Sequence, residues 1–201
     1  RRQRQMCIRD SFSEAVEAAN QSELVIAAIG ERASMSGEDA SRADISIPGV
    51  QEELVQALLD TGKPVVVVLM NGRPLTISKL TEQVPAIVEG WFLGTETGNA
   101  IADVLLGKYN PSGKLTMSFP RNVGQIPVFY NYRQSGRPGT DKLTKWTNRF
   151  IDSPVSPLYP FGYGLSYTTF SYSAPRVSQK EFSTNEILKV SVDVTNTGQY
   201  D

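Results

Sequence analysis

The chain has 201 residues, 40% hydrophobic and 20% charged, with a formal charge of −1 and no histidine. That length holds one ordinary domain or slightly more and is enough to bury a sizeable core. No apolar run approaches the roughly 18 to 20 residues of a membrane helix, and no basic stripe marks a nucleic-acid surface, so a membrane span and a nucleic-acid partner are both excluded.

The head, "RRQRQMCIRDS", differs from the rest. Four arginines against Asp10 give it +3, so the remainder carries −4. It resembles the translation of a sequencing-library adapter. Residues 1–11 are therefore read as a non-native head, with a genuine basic arm or a targeting remnant as the alternatives. Cys7 is the single cysteine. Without the head the chain has neither Cys nor His, so metal sites and nucleophiles built on those residues are not expected.

"FSEAVEAAN" places Phe12, Ala15, Val16 and Ala19 on one helical stripe, and "ELVIAAIG" predicts a buried strand ending at Gly30. After the loop "SGEDASR", Pro48 and Gly49 introduce a helix through "VQEELVQALLDTG", with Val50, Leu54, Ala57 and Leu58 at helical spacing and Gly62 at its stop. "PVVVVLM" is apolar at both alternating positions, as in a strand covered on both faces. "AIVEGWF" is a third strand. "GTETGNAIADVLLG" predicts a turn opening a helix with Ala100, Ile101, Val104 and Leu105 inward, and "KLTMSFP" a short edge strand or extended segment. The fold class is α/β: a partial sandwich with a mainly parallel sheet flanked by helices on both faces.

From about Pro120, Pro- and Gly-rich segments dominate, and loops of that length are usually functional or wrap another module. "TTFSYSAPRVS" and "ILKVSVDVTNTGQYD" then alternate with period two and mark the start of an all-β module. Two strands are far fewer than the roughly seven of a sandwich, so this module is expected to be cut.

Acidic loops beyond the carboxyl ends of parallel strands are where open α/β folds place ligand chemistry. This one offers Glu31, Arg32, Glu38, Asp39, Arg42 and Asp44. Spacing alone does not separate a reacting acid from a solvated loop. "GTETGN" lacks the lysine of a phosphate loop, and no G-x-G-x-x-G occurs, so nucleotide binding is set aside. Arg73 in "NGRPL" is open to a ligand or to a structural ion pair. Trp91, Trp146 and the tyrosines could stack on sugar rings or simply pack.

The order of "GEDASRADISIPGVQEELVQAL", "GKPVVVVLMNGRPL", "AIVEGWFLGTETGNAIADVLLGKYNPSGKLTMSFPR", "VGQIPVFYNY" with "SGRP", and "PLYPFGYGLSYTTF" carries more than any single motif. From about Ser13 to the C-terminus the chain resembles the second domain of family 3 glycoside hydrolases, in the bacterial periplasmic β-glucosidase branch with a fibronectin type III-like C-terminal domain. The resemblance implies a division into 12–165, an α/β sandwich domain lacking its N-terminal part, and 166–201, a linker and truncated fibronectin type III-like domain. It also implies a divided active site. A (β/α)8 barrel, absent here, would supply an aspartate nucleophile, and the loop would supply the acid/base.

Aligned on "SR…DISIPG", that acid/base falls on Glu38, with Glu31 the second choice, Arg42 a substrate-binding candidate and Asp39 a bystander. Where relatives carry an aromatic residue two positions after the acid, this chain has Ala40. The implied activity is hydrolysis of terminal β-D-glucosyl residues of a β-glucoside or oligosaccharide with retention, two carboxylates acting about 5 Å apart. No metal or organic cofactor is implied. The implied location is periplasmic or secreted, and the chain alone is expected to be inactive. β-Xylosidase or another exo-glycosidase specificity is the nearest alternative; a non-catalytic carbohydrate-binding module is the alternative of another class.

Overall fold

The computed structural model describes residues 12–134, 136–141 and 146–200; the head at 1–11 lies outside them. The described residues fall into two compact units.

The larger unit is built on a three-stranded parallel sheet in the order β1 (Val25–Gly30), β2 (Val65–Met70), β3 (Ala86–Glu89). Val25 lies opposite Val65, and Val66 opposite Ala86. Helices precede or link these strands: α1 over 12–20, α2 (Gln51–Leu59) and α3 (Ser78–Gln83). Gly62, at φ +75°, follows α2, and its N–H bonds back to the Leu59 carbonyl. This is the left-handed stop that glycine makes without penalty.

The core gathers alternate positions of the strands, Ala27 and Ile29 from β1 and Val65, Val67 and Leu69 from β2. Against them lie Ala19 of α1, Val55 and Leu58 of α2, Leu80 of α3, and Leu75, Ile77 and Phe119 from the connections. Helices on both faces were expected. Among the described residues the other face is thinly covered: Val68 is buried, but Ile26 is 54% exposed and Ala28 is also exposed. Among the described residues the sheet ends on one side at β1.

"KLTMSFP" is extended, but it pairs with residues 158–163 rather than with the sheet. Phe119 N donates to the Tyr159 carbonyl at 2.8 Å and Leu115 N to the Tyr163 carbonyl at 2.8 Å. The third strand stops at Glu89, three residues before the end of its apolar run, because Trp91 turns the backbone to φ +48°.

The smaller unit comprises 99–114 and 164–201. It holds nearly all of α4 (Thr97–Leu105). The stripe Ala100, Ile101, Val104 and Leu105, expected inward, has no buried member: Ala100 is exposed and the others are half-buried. Tyr167 lies beside the helix, its hydroxyl donating to the Val104 carbonyl at 3.0 Å. Two short antiparallel pairs complete this unit, β4 (Phe170–Tyr172) with β7 (Val194–Asn196) and β5 (Arg176–Val177) with β6 (Val190–Ser191). All their residues are exposed.

Candidate active site

The carboxyl ends of the three strands bring together Glu31 after β1, Asn71–Arg73 after β2 and Glu89 closing β3. Gly30 is required at the first of these. Its φ is +138°, and a Cβ there would sit 1.9 Å from the Met70 carbonyl oxygen. Gln51 then ties the start of α2 back to the same point, accepting from Gly30 N at 2.8 Å and donating to the Gly30 carbonyl at 2.9 Å and the Pro48 carbonyl at 2.7 Å. The loop between them is therefore closed at its base. Ile45 and Ile47 enter the core, and Thr76 N donates to the Ile45 carbonyl, anchoring its returning arm.

Inside this frame Glu31 is wholly buried, its side chain 0% exposed. Arg42 Nη1 lies 2.6 Å from its Oε1 and Arg73 Nε 3.0 Å from the same oxygen, while Gly72 N donates to Oε2 at 3.1 Å. Two guanidinium groups and a backbone amide thus saturate the carboxylate, as a buried charge requires. Arg42 also donates to the Ser46 carbonyl at 3.0 Å. Of the two readings open for Arg73, the ion pair is the one observed. Its Nη2 also donates to the carbonyls of Met35 and Ala40, the latter at 2.8 Å.

Those two carbonyls straddle Glu38. Ala40 N donates to the Gly37 carbonyl at 3.3 Å, closing a tight turn with Glu38 and Asp39 at its centre and Asp39 at φ +59°. Glu38 is exposed and makes no ion pair or hydrogen bond with the described residues. A free carboxyl thus stands on a turn whose two ends are held by one arginine. The platform leaves no slack, since a Cβ on Gly72 would meet Ser36 Oγ at 1.8 Å and the Phe92 ring at 3.0 Å. Asp44 is different: it faces solvent and accepts from the Ser46 hydroxyl and amide, which hold its carboxyl below the usual range.

Sequence reasoning missed two groups. Glu89 Oε1 accepts from Trp91 N at 2.9 Å, while Oε2 is buried without a partner. Burial pushes this carboxyl up to about 7, against the opposing hydrogen bonds of the Trp91 amide and the Asn71 side chain. Asn71 is fully buried; its Nδ2 donates to the Arg73 carbonyl at 2.7 Å and its Oδ1 has no partner. The available signal was an acid interrupting an apolar strand, "AIVEGW".

Trp91 packs against Phe119 with ring centres 5.7 Å apart, so it belongs to the core margin. Trp146 is exposed, with the Arg137 guanidinium 5.9 Å from its ring centre. Among the described residues no His, Cys, Asp and Glu cluster could hold a metal ion, and no helix is long and apolar enough to cross a membrane.

The described residues thus form a parallel α/β sheet with an anchored acidic loop beyond its strand ends. The family model for the glycosyl hydrolase family 3 C-terminal domain matches residues 3–167, and the chain belongs to that family. It is 54% identical over 189 residues to a periplasmic beta-glucosidase of Salmonella typhimurium, covering 94% of this chain and 25% of that protein. It is 48% identical over 191 residues to a beta-xylosidase of Formosa agariphila, covering 95% and 26%. The structure of a beta-glucosidase from Listeria innocua in complex with glucose superposes with a TM-score of 0.88 at 41% identity, over 95% of this chain and 27% of that one. The chain therefore spans about a quarter of the length of these relatives.

Proposed function

We propose that this chain is the acid/base-bearing part of a retaining exo-β-glucosidase and that Glu38 is the acid/base. The observation that carries the reading is the contrast between two glutamates on one loop. Glu31 is sealed and saturated by Arg42, Arg73 and Gly72, so no glycosidic oxygen can reach it. Glu38 is unpaired and exposed at the crest of a turn clamped from below. An acid that must meet a sugar held by another module needs that exposure and that fixed base.

In this reading a (β/α)8 barrel of the same protein binds the glucoside and provides an aspartate nucleophile. Glu38 gives its proton to the departing oxygen as the aspartate attacks the anomeric carbon. The same carboxylate then takes a proton from water as the glycosyl-enzyme is hydrolysed. Arg42 acts on the loop through Glu31 and the Ser46 carbonyl rather than on substrate. Residues 12–165 form the sandwich domain and 166–201 the linker and beginning of a fibronectin type III-like domain; alone, the chain hydrolyses nothing. A periplasmic or secreted location is supported by the likeness to the periplasmic beta-glucosidase of Salmonella typhimurium. A β-xylosidase specificity is the second reading, favoured by the Formosa relative, since the barrel would line most of the sugar pocket.

The test is Glu38→Gln in the intact protein. The proposal requires severe loss on glycosides with poor leaving groups and partial sparing on activated aryl glycosides, which need little protonation. Equal rates for variant and wild type on both substrate types would favour a non-catalytic carbohydrate-binding module.

A further inference from the structure

The turn that carries Glu38 is made of Gly37, Glu38, Asp39 and Ala40, so it has no ring of its own. An aromatic ring stands next to it on another element. A Cβ built on Gly72 would overlap the Ser36 hydroxyl and come 3.0 Å from Cε2 of Phe92. The Ser36 side chain and the edge of the Phe92 ring therefore meet over one glycine, and Ser36 immediately precedes Gly37. Gly72 accommodates both because it has no side chain.

Phe92 is placed there by the chain leaving β3. Gly90 N donates to the Leu69 carbonyl at 2.8 Å, and Trp91 N donates to Glu89 Oε1 at 2.9 Å. Trp91 then takes φ +48°, a conformation that bulky side chains rarely adopt. This turn divides two consecutive aromatic residues. The Trp91 ring goes to the core margin against Phe119, whereas Phe92 is 46% exposed at the same end of the sheet as Glu38. Backbone held in so sparse a region is a feature that ligand sites retain.

The chemistry proposed for Glu38 says what such a ring meets. The nucleophile and the acid flank the scissile bond, and the acid gives its proton to the oxygen that joins the two halves of the substrate. The half held covalently belongs to the module that supplies the nucleophile. The half on the acid's side is the leaving group. An apolar ring fixed on the acid's own platform thus lies on the leaving-group side, and aromatic faces bind other flat apolar faces.

We propose that Phe92 lines the leaving-group side of the active site, its exposed ring stacking on the sugar or aryl ring that departs when Glu38 donates its proton. The inference rests on the reading of Glu38 as acid/base and adds the residue that selects what leaves.

The experiment uses the intact protein and compares wild type with Phe92→Ala, Phe92→Leu, which keeps apolar bulk without an aromatic face, and Phe92→Tyr, which keeps the ring. Each is assayed for kcat/KM on two donors with the same glycone, a β-linked disaccharide and the glycosyl fluoride, whose leaving group has no ring to stack. Phe92→Ala and Phe92→Leu should lose about tenfold on the disaccharide and less than about twofold on the fluoride. Phe92→Tyr should keep both activities. Equal losses on the two donors would overturn the proposal, since they would mean that Phe92 only seats another part of the protein, and so would the absence of loss on either. The ratio of the two rates cancels any deficit of folded enzyme, and Phe92→Leu supplies it should Phe92→Ala fail to fold. Glu38→Gln on the same donors separates the two readings. Its loss confined to the disaccharide, beside unaffected Phe92 variants, rejects this inference alone. Full activity of Glu38→Gln, beside a loss in Phe92→Ala confined to the disaccharide, rejects the acid/base reading alone.

Discussion

Replacing Arg73 by alanine tests the clamp beneath Glu38. Glu31 is fully buried and holds Arg42 at 2.6 Å and Arg73 at 3.0 Å. Breaking a buried pair outright costs about 3–5 kcal/mol. Here Arg42 remains, which lowers the cost, while the carbonyls of Met35 and Ala40 lose a charged donor, which raises it by about 1.5–3 kcal/mol per bond before water replaces it. A net loss of about 2–4 kcal/mol is expected, read as a lower denaturant midpoint at constant slope. Arg73→Lys should recover less than half, because one ammonium cannot reach Glu31 and two carbonyls together. In a Glu31→Gln background the same Arg73→Ala substitution should cost less, with a coupling of about 1–3 kcal/mol. A loss under about 1 kcal/mol, or strictly additive single substitutions, would refute the clamp.

Stability should also depend on pH through Glu89. Its folded value, about 7, lies above the ordinary 4.5, so its contribution is complete below 4.5 and is lost as pH rises through about 7. The change is at most about 3 kcal/mol, and equilibrium unfolding across that range should show Glu89→Gln without this fall. Gly72→Ala must displace Ser36 or Phe92, so kcat on poor leaving groups should drop more than global stability, as steady-state kinetics and melting would reveal together. Leu69→Ala, at a fully buried position of the central strand, should cost about 2–5 kcal/mol by denaturant titration.

The central sheet was legible because its pattern is local. Val65–Met70 is apolar at every position, and Gly62 ends α2 where a glycine stop was expected. Helix α3 was not, since "SKLTEQ" is six residues long and buries Leu80 alone, too few for a helical period to emerge. The α4 stripe was visible as a pattern, yet a stripe does not say whether anything packs on it. The site shows the same divide. Glu31, Glu38 and Arg42 stand out in one loop, but the sealing of Glu31 depends on Arg73, 42 positions further on. That contact exists only because parallel strands bring their ends together.

The most direct test of the central claim is a structure of the intact protein with an uncleaved glycoside bound. A Glu38 carboxyl oxygen is expected within about 2.6–3.2 Å of the glycosidic oxygen, with Arg73 still holding the turn beneath it. Glu38 directed into solvent, with another acid at that oxygen, would contradict the account.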